Sequence, residues 1–180
     1  AQFRRQRQMC IRDSNSGEAM AMGEKSPIAI TNPTAAGKLA LAEAVINLLP
    51  AGVAKLSDIK ISANWMASPD DSQRKSDLFN TVKELTQKVC KPWRIAIPVG
   101  KDSLSMKTIW QNNKKTNLSP QSLVISAFAK IKNVSNSITP QLINKDELVL
   151  VYLDLSKNKK RLGGSILAEV TQQTLSLIHI

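Results

Sequence analysis

The sequence predicts an α+β fold, with strands and helices alternating but several strands joined by hairpins rather than by helical crossovers. Three observations carry this expectation. A helix-start signal at Asn32-Pro33 opens a long apolar-rich run, and a second helical period spans Ser76 to Lys91. Short apolar runs bounded by turn residues recur at Pro27, Ser57, Arg94, Leu123 and Leu148.

Taken in order, Pro27 to Ile30 (PIAI) is a short apolar strand candidate. Asn32 then supplies a side-chain oxygen for the orphan N–H groups of a helix, and Pro33 suits its first position. That helix runs through KLALAEAVINLL and stops at Pro50 and Gly52. Ser57 to Met66 (SDIKISANWM) is expected as a strand ending in the loop Ala67-Ser68-Pro69-Asp70. From Ser76 to Lys91, Leu78, Val82, Leu85 and Val89 recur at helical spacing, with lysines and Glu84 on the other faces, and Pro92 closes the helix. Arg94 to Val99 (RIAIPV) is expected as a buried strand leading into a loop at Gly100. Leu104 to Trp110 alternates weakly, Asn112 to Pro120 is a hairpin turn, and Leu123 to Ile131 (LVISAFAKI) is a strand. After the polar stretch Lys132 to Lys145, Leu148 to Leu155 (LVLVYLDL) is a further strand, and Gly163-Gly164-Ser165 opens a short helix.

Composition narrows the function. At 180 residues, 42% hydrophobic, the chain is long enough for one core or one domain plus the start of another. No apolar run approaches the roughly 18 residues of a membrane span, so no membrane partner is expected. Cys10 and Cys90 have no paired spacing, which fits a reduced compartment and offers neither zinc site nor disulfide framework. A net charge of +11 raises the question of nucleic acid. Arg4, Arg5, Arg7 and Arg12 sit in the first fourteen residues, the other lysines are scattered, and aromatics make up only 4%, leaving little to stack on bases. A solvated basic surface is the better reading, and it suits an enzyme with phosphorylated ligands.

Both termini read as non-native. Residues 1–14 (AQFRRQRQMCIRDS) lack periodicity and any secretory apolar core, and residues 175–180 (LSLIHI) follow a polar run without a turn or cap. His179, the only histidine, lies in that tail, so no Ser-His-Asp, Cys-His or histidine-metal chemistry can be assembled from the rest.

Two patterns carry chemistry. Glu43 and Asn47 stand four apart on the first helix, in a row with Leu39 and flanked by Ile46, on the face expected to pack inward. A carboxylate and an amide oxygen side by side are suitable hard ligands for magnesium, although solvated or salt-bridged polar pairs at this spacing are common. The loop Gly100-Lys101-Asp102-Ser103 follows a strand and offers close backbone approach, a cation, a carboxylate and a hydroxyl. It is not a Walker loop, because Ile95 stands where the first glycine is required. A plain polar hairpin loop fits the same residues.

Six ordered segments narrow these readings: GEAMAMGEKSP (from Gly17), the helix with AEAVIN, KISANWMA (from Lys60), IPVGKDSLSMK (from Ile97), SPQSLVISAFA (from Ser119) and LGGSILAEV (from Leu162). Together they resemble the large, single-chain phosphoribosylformylglycinamidine synthase family of purine biosynthesis, over about Gly17 to Gln173. The resemblance implies an internal piece of a cytoplasmic ATP-dependent ligase. The parent converts formylglycinamide ribonucleotide, glutamine and ATP to formylglycinamidine ribonucleotide, glutamate, ADP and phosphate.

The implied fold is an aminoimidazole-ribonucleotide-synthetase-like subdomain, a mixed sheet with helices on one face. Residues 15–140 would be the N-terminal-type subdomain of the second synthetase half, and residues 141–174 the start of its C-terminal-type subdomain. Implied cofactors are ATP/ADP and Mg2+, with Glu43 and Asn47 as metal ligands at an auxiliary nucleotide site. Gly100 is the implied nucleotide-binding residue and Ser103 the implied substrate-binding residue, with Lys101 replacing the family loop's asparagine. No catalytic residue is expected in this segment, and Cys90 reads as a packed thiol rather than the glutaminase nucleophile. Partners would be the remainder of the same polypeptide, namely the first synthetase half and the glutaminase domain, together with a small-molecule nucleotide substrate. Other ATP enzymes of the superfamily, such as aminoimidazole ribonucleotide or selenophosphate synthetase, and a basic nucleic-acid-binding module stand as alternatives.

Overall fold

The computed structural model describes residues 7–10, 15–112, 114–142, 148–157, 159, 162–163 and 165–173. Residues 175–180 and most of the expected leader therefore lie outside the described residues, as does Gly164. A five-stranded mixed sheet forms the centre, in the order β1 (Arg7–Cys10), β2 (Gly17–Glu24), β7 (Ser122–Ile131), β3 (Lys60–Met66) and β4 (Ala96–Ser103). All neighbours are antiparallel except β3 and β4, which run parallel. A separate hairpin pairs β5 (Lys107–Trp110) with β6 (Lys115–Leu118). The α+β expectation, a mixed sheet with helices, holds.

Alternation along β2, β7 and β3 sorts the sheet into two faces. Ala19, Ala21, Ile61, Ala63, Leu123, Ile125, Ala127, Ala129 and Ile131 are buried on one side. On that side lie α2 (Pro33–Leu48), with Ala40, Leu41, Ala44, Val45 and Leu48 inward, and α3 (Ser72–Leu85), with Leu85 inward. Burying one such leucine or isoleucine contributes about 1.5–3 kcal/mol, so this cluster outweighs any surface ion pair in holding the layers together. The other face carries Met20, Met22, Val124, Ser126, Phe128, Ser62 and Asn64, all half-buried or exposed.

Small residues make the close layer possible. A Cβ on Gly23 of β2 would lie 2.0 Å from the Ala40 carbonyl oxygen and 2.5 Å from the Ala44 nitrogen, so β2 and α2 touch backbone to backbone. The helix starts as expected, with the Asn32 side chain accepting from the Ala35 N–H, and it gives way to a 3-10 turn over Leu49–Ala51 capped by Gly52 at φ 81°.

Several expectations are corrected. PIAI is not a strand: α1 (Ser26–Ala29) is a helical turn with proline at its start, and it buries Ile28 and Ala29. The strand is the preceding GEAMAMGE segment. Arg7–Cys10, within the expected leader, is edge strand β1. The second helix begins earlier than Ser76, at Ser72, capped by Asp71, and continues through a π-helical turn at Thr86–Cys90 into α4 (Lys91–Trp93). That wide turn brings Val89 and Cys90 inward together, so Cys90 is a packed thiol in the core. Thr81, fully buried and bonded to the Asp77 carbonyl, takes the inward place expected of Val82, which is 37% exposed.

β4 is an edge strand, and most of its residues are exposed rather than buried. Asn112 to Pro120 is more than a turn, since Lys115–Leu118 pairs with β5 across Gln111 and Asn112, both at positive φ. Leu148 to Leu155 forms no strand, because no described strand lies alongside it. Ser165 caps α5 (Ile166–Val170), the short helix expected there.

Candidate functional site

β2 and β3 are each antiparallel to β7, so they run parallel to one another and to β4. Their carboxyl ends, Glu24, Met66 and Ser103, therefore share one edge of the sheet. Both predicted patterns lie along this edge. In register, Glu24, Val124, Asn64 and Lys101 form one row across the strands. Three strand spacings separate its ends by roughly 14 Å. Glu43 and the Gly100–Ser103 segment are thus neighbours on one rim without touching.

Glu43 and Asn47 are on one row of α2, but that row does not face inward as expected. Leu39 is 42% and Ile46 61% exposed, because the alanines and Gly37 occupy the packed face. The row instead overhangs the end of β2. Glu43 Oε2 accepts from the Glu24 backbone N–H at 2.8 Å, and Oε1 pairs with Lys25 Nζ at 3.1 Å. Asn47 Nδ2 donates to the Met22 carbonyl at 3.1 Å, which leaves its amide oxygen for another partner. Glu24 turns its carboxylate back to the Ser26 N–H. One carboxylate and one amide oxygen, held by backbone bonds, are oxygen ligands of the kind magnesium takes, but Lys25 already occupies Glu43 Oε1, so the pair is salt-bridged in this structure. It is a partial set, since among the described residues no cluster of three His, Cys, Asp or Glu side chains could hold a metal.

Gly100 to Ser103 is not a loop. It continues β4, with Gly100 opposite Ala63 and Ser103 opposite Met66. The close approach that Gly100 permits is to the neighbouring strand, since a Cβ there would sit 3.3 Å from the Ala63 carbonyl oxygen. Lys101 Nζ donates to Ser103 Oγ at 3.0 Å, so the two project on the same side, away from α2. Beside them, the buried amide oxygen of Asn64 has no hydrogen-bond partner among the described residues.

Backbone bonds fix the turn beyond Ser103: Ala67 N–H to the Ser103 carbonyl, Met106 N–H to the Ala67 carbonyl and Ser119 N–H to the Met106 carbonyl. Asp70 ties this turn to the start of α3. Its carboxylate accepts from Lys107 Nζ at 3.0 Å and Ser68 Oγ at 2.8 Å, and those bonds, Lys107 first, favour the charged form and hold its pKa below the usual aspartate range.

Sequence reasoning missed Lys25 and Glu24. Their signal was present, a Glu-Lys pair just ahead of Ser-Pro at a helix start, but their partner Glu43 lies nineteen and eighteen positions on. An open cavity of about 450 Å³ between α1 and α5, bordered by Pro27, Ile30, Pro120 and Ala168, contains none of the predicted residues.

A family model described as the FGAR-AT PurM_N-like domain matches residues 7–130. The chain belongs to this family. Solved structures similar to this FGAR-AT PurM_N-like chain include phosphoribosylformylglycinamidine synthase II from Thermotoga maritima, at TM-score 0.56 and 21% identity over 76% of this chain and 21% of that one. T. maritima PurL complexed with ATP matches with the same figures. T. maritima PurL complexed with FGAR matches at TM-score 0.56 and 18% identity, over 76% of this chain and 20% of that one. Likeness at this identity shows the fold. The chain spans about a fifth of the length of these structures. Among the described residues no helix is long and apolar enough to cross a membrane.

Proposed function

We propose that this chain is the N-terminal-type subdomain, residues 15–140, of the second synthetase half of a cytoplasmic phosphoribosylformylglycinamidine synthase, with residues 141–174 beginning the next subdomain. The parent reaction joins glutamine-derived ammonia to formylglycinamide ribonucleotide at the expense of ATP. The family match over residues 7–130 is the observation that carries this reading. The ATP and FGAR named for the solved relatives support a nucleotide ligand and a ribonucleotide substrate. The first synthetase half and the glutaminase domain of the same polypeptide are the proposed partners.

Within this segment, Glu43 and Asn47 would hold Mg2+ through oxygen ligands at the sheet edge, beside an ADP or ATP molecule. Bound there, the metal would neutralise phosphate charge. The backbone N–H of Glu24 orients the Glu43 carboxylate, and the Met22 carbonyl orients Asn47. Gly100 and Ser103 would form the adjoining nucleotide and substrate edge, with Lys101 supplying positive charge beside the Ser103 hydroxyl. No residue of the segment is assigned a catalytic role.

The test is Glu43→Gln in the full polypeptide that carries this segment. Removing the anionic ligand should lower both the ADP retained through purification and the melting temperature. Unchanged ADP content would refute the metal assignment.

A further inference from the structure

The two oxygens of Glu43 are held in different ways. Oε2 is bonded to the Glu24 backbone N–H, which is fixed in the sheet edge. Oε1 is held by the Lys25 ammonium, on a flexible four-carbon stem, with the two side chains 40% and 32% exposed. Exposed ion pairs are weak, so this second contact is exchangeable while the first is not. Asn47 stands on the next turn with its amide oxygen uncommitted by the bond to Met22. A dication that ligates Oε1 must therefore displace a cation already there.

We propose that Lys25 is a displaceable counter-cation: its ammonium neutralises Glu43 until a divalent metal takes Oε1, and is then released toward the phosphates that accompany the metal. This rests on the reading of Glu43 and Asn47 as a metal pair. The physical logic is charge balance. Without metal, Lys25 offsets the half-exposed carboxylate. With a bare dication, the same ammonium is repelled. With metal and nucleotide together, the added phosphate charge would offer the ammonium a new anionic partner.

Lys25 thus opposes bare metal and favours the metal–nucleotide complex. A purely structural staple between β2 and α2 would change neither affinity with opposite sign.

The experiment measures Mn2+ binding by electron paramagnetic resonance, and Mg-ADP binding by calorimetry, in the nucleotide-stripped full polypeptide. The Glu43-dependent component is obtained by difference from Glu43→Gln. Lys25→Met should tighten Mn2+ binding about twofold to fivefold and weaken Mg-ADP binding by a similar factor. Lys25→Arg, which keeps the charge, should stay close to wild type and shows that the Met variant's effect is not misfolding. Glu43-dependent Mn2+ binding that is unchanged or weaker in Lys25→Met overturns the proposal and leaves the metal reading intact. Absence of any Glu43-dependent Mn2+ binding overturns both.

Discussion

Replacing Gly23 with alanine is the sharpest test of how α2 is seated on the sheet. The added Cβ would lie 2.0 Å from the Ala40 carbonyl oxygen and 2.5 Å from the Ala44 nitrogen, where ordinary contact begins at 3.4 Å. Relief requires the helix and strand to separate by about 1.4 Å, and both clashing atoms are backbone, so no rotamer change absorbs it. Overpacking of this kind costs about 3 kcal/mol, a large fraction of the roughly 5–15 kcal/mol that holds an ordinary domain.

With a urea m-value of about 2 kcal/mol/M, the unfolding midpoint should fall by about 1.5 M. The same displacement would pull Glu43 out of hydrogen-bonding range of the Glu24 N–H, now 2.8 Å away, so under the proposed magnesium assignment metal affinity should fall as well. Gly37→Ala is the internal control. Its Cβ would meet only side chains, Thr81 at 2.8 Å and Leu123 at 3.6 Å, and alanine is favoured over glycine in a helix by about 1 kcal/mol. A loss below about 1 kcal/mol in Gly23→Ala, or a loss no greater than that of Gly37→Ala, would refute the backbone-contact argument.

Two further outcomes are expected. Hydrogen bonds from Lys38 first, then Lys88, hold the Glu84 carboxyl below the usual glutamate range, so its stabilisation is fully present above the unfolded-state value and disappears as pH falls through the folded-state value. Wild type should therefore exceed Glu84→Gln in stability by a constant margin near neutrality, and the two unfolding midpoints should converge in acid; a margin independent of pH would exclude this origin. In the full polypeptide, Ser103→Ala should raise the substrate KM with little change in kcat, and an unaltered KM would remove Ser103 from the substrate edge.

Local rules reached the parts of this fold whose causes are local. Asn32 and Pro33 announce α2, and the apolar run from Leu123 announces β7, because a cap and a bounded apolar run are written into consecutive residues. β2 escaped notice because its inward positions are Ala19, Ala21 and Gly23, poor strand formers chosen for the thickness of the layer above them. PIAI reads as a strand because four apolar residues have no resolvable period, whereas in the structure the proline favours a helical start. The Gly100–Ser103 segment reads as a loop in sequence because its pairing partner, β3, is nearly forty residues away. Likewise, the i,i+4 spacing exposed Glu43 and Asn47 as a pair, while nothing local tied Lys25 to them.

The position of β7 has a consequence for how this chain comes to be folded. It is the last strand of the sheet in sequence and the third of five in space, pairing Gly17 with Ile131 on one side and Lys60 with Phe128 on the other. During synthesis β2, α2 and β3 emerge first, yet none of them can close the sheet without β7. Until residue 131 has left the ribosome, Ala19, Ala21, Ile61 and Ala63 have no central strand to pack beside. Contacts of such long sequence separation slow folding and leave apolar surface open in the interval, so this segment should depend on chaperone protection for as long as its central strand is unborn.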